Sequence, residues 1–105
     1  MVDYKTPKRD YEFILKEVLD VENQIKGYKG YEEATWDMIE MLSDQYSEVA
    51  TDYWLPSNKD GDELGAQFKD GKVTLPKSMK AASQIIIDSG LTALFGHKQY
   101  GGMEF

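Results

Sequence analysis

Apolar positions along the chain fall into three stretches of helical spacing and one short alternating stretch. Tyr11, Ile14, Leu15, Val18 and Leu19 recur at intervals that put them on one helix face. Pro7 suits the entry to that helix, because its missing N–H has no intrahelical acceptor there. The spacing predicts a helix over about 8–19, its pattern fraying towards Ile25. Gly27-Tyr28-Lys29-Gly30-Tyr31 breaks it as a turn with two packing tyrosines.

Trp36, Ile39, Leu42, Tyr46, Val49, Ala50 and Tyr53 make one wide apolar face, and Met38 and Met41 extend it around the side. Thr35 is the N-cap residue, with Met38 where a full capping box has Glu or Gln. Pro56 is expected to stop this helix, which gives a span of about 32–54, followed by a turn-rich loop at 57–62. Short alternating runs on either side of Asp70-Gly71 predict a hairpin over about 66–75, since that dipeptide suits a type I′ turn. A third helix is predicted over about 77–90, ending at Gly90. Its Ile85-Ile86-Ile87 run points in most directions around the axis, so burial on several sides is expected. Residues 91–95 continue as a short helix or turn, and 96–105 carry no helix or strand signal. The elements add up to a mainly α fold: a small bundle of three or four helices with a short β-hairpin, one truncated helical domain over 1–105.

Composition narrows the function classes. Of 105 residues 41% are hydrophobic and 12% aromatic, which argues for a folded chain because disordered chains lack such side chains. The formal net charge is −7, and the bases Lys5, Lys8 and Arg9 are interspersed with Asp3, Asp10 and Glu12. Nucleic acid is therefore not an expected partner, and the basic cluster reads as solvated surface. Cysteine is absent, which removes disulfides and thiolate metal sites and fits a cytoplasmic location. Met1-Val2-Asp3-Tyr4-Lys5 lacks the apolar run of a signal peptide, and Ile85-Ile86-Ile87 is far too short to span a bilayer.

Each chemical motif fails at a named position. Asn58-x-Asp60-x-Asp62 opens like a calcium loop, but Glu63 stands where the sharp turn needs Gly and Lys69 where a bidentate Glu belongs. Gly65 to Gly71-Lys72 is one residue too long for a phosphate loop, and Val73 replaces its metal-binding hydroxyl. Gly101-Gly102 precedes too few residues for a helix that could receive a pyrophosphate. His97, the sole histidine, reads as a surface or helix-end residue with no designated catalytic or metal partner. Glu32-Glu33 and Glu40-Asp44 lie on expected solvent faces, and paired carboxylates alone identify no catalytic site. No catalytic, cofactor-binding or metal residue is assigned.

The residues nevertheless carry a family likeness. Tyr4-Lys5-Thr6-Pro7-Lys8-Arg9-Asp10, continued by Phe13, Leu15 and Glu17-Val18-Leu19, resembles the N-terminal opening of one branch of the acyl-CoA dehydrogenases. That branch includes enzymes similar to methylmercaptopropionyl-CoA dehydrogenases. Leu55-Pro56-Ser57-Asn58 through Gly61-Asp62, then Gly71-Lys72-Val73-Thr74-Leu75-Pro76, then Tyr100-Gly101-Gly102 resemble later family signatures, in family order. Thr6 stands where alanine is common, and Gly90-Leu91 where Gly-Trp is usual.

The resemblance implies a parent of several hundred residues with an N-terminal helical domain, a middle β domain and a C-terminal helical domain. It implies FAD held mainly between the latter two, and α,β-dehydrogenation of an acyl-CoA thioester begun by a C-terminal glutamate. Every one of those groups would lie beyond Phe105, so the chain is expected to bind no cofactor and to be inactive alone. Its expected partners are another copy, through exposed apolar helix faces, or the missing remainder of the enzyme. The alternative is a free-standing helical interaction module.

Overall fold

The computed structural model describes residues 3–32 and 34–105; Met1, Val2 and Glu33, with the readings made on them, lie outside the described residues. The chain is mainly helical with one two-stranded antiparallel ribbon, as its periodicities predict. It divides into two compact units, one of Thr6–Gln45 with Ala93–Phe105 and the other of Met1–Lys5 with Tyr46–Thr92.

In the first of these units, α1 (Lys8–Glu12) continues without a break into a π-helical turn, Phe13–Val18. The Leu19 N–H donates to the Ile14 carbonyl at 2.9 Å, the i→i+5 bond of that wider turn. Asp20 follows with φ 47°, and its carboxylate accepts the Asn23 amide at 2.9 and 3.0 Å. Such local bonding explains why an Asp tolerates the left-handed region here. The predicted helix over 8–19 thus has a definite end, and the residues that fray towards Ile25 form a separate helix, α2 (Val21–Lys26).

The long central element starts at α3 (Trp36–Val49), where Thr35 acts as the cap: its hydroxyl accepts the Met38 N–H at 3.3 Å. A second acceptor comes from α2. The Glu22 carboxylate takes the Trp36 N–H at 2.6 Å, satisfying another of the orphan donors of the first turn.

Pro56 does not stop this helix. After α3 a π turn, Ala50–Trp54, leads directly into α4 (Leu55–Leu64), with Pro56 in its first turn. Within a regular α-helix a proline ring strikes the carbonyl four residues back. The wider π turn shifts that carbonyl, and proline's missing N–H falls where the bonding pattern is already changing. Ser57 to Asp62, expected as a loop, are therefore helical.

The second unit is built around α4 and α5 (Lys77–Asp88). Ser57, Pro76, Ala82 and Leu91 are buried there together with Val49. The Ser78 hydroxyl donates to the Asp60 carboxylate at 2.6 Å. The Tyr46 hydroxyl donates to the Leu91 carbonyl at 3.0 Å. α5 ends within two residues of the predicted boundary, but Ile87 is exposed while Ile85 and Ile86 are half-buried. Between α4 and α5, β1 (Gln67–Lys69) pairs with β2 (Lys72–Thr74) in the register Gln67↔Thr74, Phe68↔Val73, Lys69↔Lys72. Asp70 and Gly71, with φ 51° and 75°, supply the two positive angles of a type I′ turn.

Candidate functional site

One concavity of the first unit lies between the opening helix and the start of α3. α1 runs antiparallel to α3, because Lys8 meets Asp44 (2.6 Å) while the Lys16 ammonium sits 5.1 Å from the centre of the Trp36 ring. Both pairs of positions are eight residues apart, about 12 Å along each helix. Between them is an open cleft of about 270 Å³ whose walls include Tyr11, Glu12 and Leu15 on one side and Trp36, Ile39 and Glu40 on the other.

Its rim is ionic and largely paired internally. Arg9 contacts Glu17 at 2.6 Å and Glu12 at 3.3 Å. The hydrogen bond and charge of Glu17 raise the Arg9 pKa, and the Arg9 hydrogen bond lowers that of Glu17. These are exposed pairs, so they orient the side chains more than they stabilise the fold. The basic cluster expected as solvated surface is exposed as expected, but Lys8 and Arg9 are both engaged with acids. An apolar floor with a paired ionic rim can hold an apolar group; it offers no activated nucleophile or proton shuttle.

Glu22 is the residue that periodicity did not single out. One carboxylate oxygen meets the Lys26 ammonium at 2.5 Å and the other the Trp36 N–H, and these two contacts, in that order, lower its pKa. The Glu22/Lys26 spacing of four was a legible signal; the bond to Trp36, fourteen residues away, was not.

The remaining candidates are dispersed. His97 is exposed at the start of a single 3₁₀ turn, Lys98–Tyr100, with Nδ1 3.1 Å from the Glu104 carboxylate. Glu104 also accepts the Lys98 N–H at 3.0 Å, and that bond first, then His97, lowers its pKa. Around this contact the chain doubles back: the Met103, Glu104 and Phe105 amides donate to the Ala93, Gly96 and Leu94 carbonyls. Gly102 crosses Gly96 so closely that a Cβ would overlap the Gly96 carbonyl. Asn58 and Asp62 share one side of α4 and Asp60 lies on the opposite side, instead of all three facing into a loop. Glu32 accepts the Gly30 N–H at 2.9 Å, and Glu40 and Asp44 are exposed as expected. Among the described residues no group of three or more His, Asp or Glu could hold a metal ion, and no helix is long and apolar enough to cross a membrane.

No family model matches the chain. Its sequence is 28% identical over 100 residues to the 3-methylmercaptopropionyl-CoA dehydrogenase of Ruegeria pomeroyi. It is 30% identical over 105 aligned positions to the butyryl-CoA dehydrogenase of Syntrophomonas wolfei. Over nearly its whole length the chain is similar to acyl-CoA dehydrogenases. Each match takes in 95% of this chain and only 17% of the relative, so the chain spans about a sixth of the length of these dehydrogenases. Two acyl-CoA dehydrogenases thus match a stretch that contains both the antiparallel α1/α3 pair and the Gly96–Gly102 crossing.

Proposed function

We propose that the chain is the N-terminal, non-catalytic helical segment of an FAD-dependent acyl-CoA dehydrogenase that oxidises an acyl-CoA thioester between its α and β carbons in the cytoplasm. The observation that carries this reading is the pair of 95% matches to dehydrogenases of which the chain spans 17%.

Neither the Gly101-Gly102 turn nor the Lys8/Arg9 cluster offers a seat for the diphosphate of FAD. A dinucleotide's diphosphate needs backbone amides left open at a glycine turn, or free cations. Gly102 is closed against the Gly96 backbone, and the Gly102 N–H already donates to His97. Lys8 and Arg9 are held by Asp44, Glu17 and Glu12. What the segment contributes is a helical scaffold with apolar surface for covering. Phe13, Ile14, Val18 and Leu19 are each about half exposed or more.

That same exposure supports the second reading, a free-standing module whose helix faces grip a partner or a second copy. Two measurements separate the readings. The purified 105-residue chain is expected to be colourless and without acyl-CoA dehydrogenase activity; a stoichiometric flavin band would overturn the proposal. Sequencing downstream of codon 105 is expected to find an open frame; an immediate stop would favour the free-standing module.

A further inference from the structure

The ribbon between α4 and α5 has two opposite faces of unlike chemistry. Alternation puts Phe68 and Val73, a directly opposed pair, on one face and Gln67, Lys69, Lys72 and Thr74 on the other. Carried one residue past each strand, it adds Ala66 and Leu75 to the apolar face. One face is therefore wholly apolar and the other wholly polar. In antiparallel sheets an apolar face of this kind is the one laid against a core. Among the described residues of its own unit nothing covers it: Phe68 is 74% exposed, Val73 67% and Leu75 42%, and Ala66 is exposed as well.

We infer that this face is the surface through which the segment docks onto the remainder of the longer polypeptide, an inference that rests on the reading given under Proposed function. Size decides against a second copy. The face offers four side chains, whereas a stable interface between separate proteins uses roughly twenty residues a side. A covalently continuous partner escapes that requirement, since its effective concentration is on the order of millimolar for a short flexible connection. Two chains of net charge −7 also repel each other, whereas an internal docking surface brings no second −7 chain into contact. The relatives are long enough to provide the cover, with about five sixths of their length unmatched by this chain. The chemistry required of the covering surface is apolar, with the Lys69/Lys72 face left to water.

The test is the double variant Phe68→Thr/Val73→Thr, which keeps strand propensity while removing the apolar surface. It is made both in the 105-residue chain and in the longer polypeptide, with Lys72→Thr on the opposite face as control. The double variant is expected to leave the melting temperature of the 105-residue chain within about 1 °C, and to lower that of the longer polypeptide by at least about 2–4 °C. The control is expected to move neither. A longer polypeptide that binds flavin yet is indifferent to the double variant overturns this inference alone. A longer polypeptide without flavin sinks the underlying reading and this inference with it. Concentration-dependent dimers of the 105-residue chain that the double variant abolishes would overturn the inference in favour of a second copy.

Discussion

The Lys8 ammonium lies 2.6 Å from the Asp44 carboxylate, and the two residues mark one end of an antiparallel helix pair whose other end is Lys16 over Trp36. Both partners are about half exposed, so water screens their attraction. The contact reports the register of the two helices more than it sets their stability. Lys8→Ala is therefore expected to cost less than about 1 kcal/mol. Leu42→Ala, at a buried position of α3, is expected to cost about 2–5 kcal/mol through lost contacts and a residual cavity. Urea unfolding of the two variants checks the order; a Lys8→Ala loss as large as that of Leu42→Ala would mean that the ion pair holds the helices together.

Pro56 sits in the first turn of α4, directly after a π turn. Pro56→Ala is expected to change stability by no more than about 1 kcal/mol, since that site already lacks the usual proline clash. Glu48→Pro, placed in the regular part of α3, is expected to cost about 3 kcal/mol or more. Thermal unfolding of both variants distinguishes an accommodated proline from a disruptive one.

Gly102→Ala puts a methyl group into the Gly96 backbone, and neither side of that contact is a flexible side chain. The return of residues 103–105 along 93–96 is expected to open, with amide exchange at Glu104 and Phe105 faster by about tenfold or more. Gly27→Ala, where the nearest atom would lie at an ordinary 3.4 Å, is the control and is expected to leave those amides unchanged.

Acid is expected to loosen the same return. The Lys98 N–H, and after it His97, holds the Glu104 pKa below its unfolded value. A carboxyl with a depressed folded pKa stabilises fully above its unfolded pKa of about 4.3, and this contribution is lost as pH falls through the lower, folded value. Exchange protection of the Phe105 amide is expected to drop below about pH 4. In Glu104→Gln the pH dependence is expected to flatten, because the neutral amide does not titrate there. NMR exchange measured from pH 6 down to pH 3 checks both; a wild-type profile as flat as that of the variant would rule the contact out as the cause.

Local rules are where the chain's sequence was most informative. Helical periodicity located α1, α3 and α5, and Asp70-Gly71 located the ribbon, since spacing and backbone angles depend on near neighbours. The likeness to acyl-CoA dehydrogenases was also legible, because motifs keep their order along a chain whatever the packing. Pro56 misled because a local rule assumes a regular helix, and a π turn that ends two residues earlier breaks that regularity.

Three features required the folded chain. Glu22 reaches the first turn of α3 from another helix. Lys8 finds Asp44 thirty-six residues away. Gly96 and Gly102 meet where two backbone stretches cross. Each joins groups brought together by chain reversal, and such a reversal leaves no period in the residues it joins. The ribbon combines both kinds of information: alternation by itself determined that one face would be apolar, and only the tertiary structure decided that this face, with no helix of its own unit laid over it, would remain exposed.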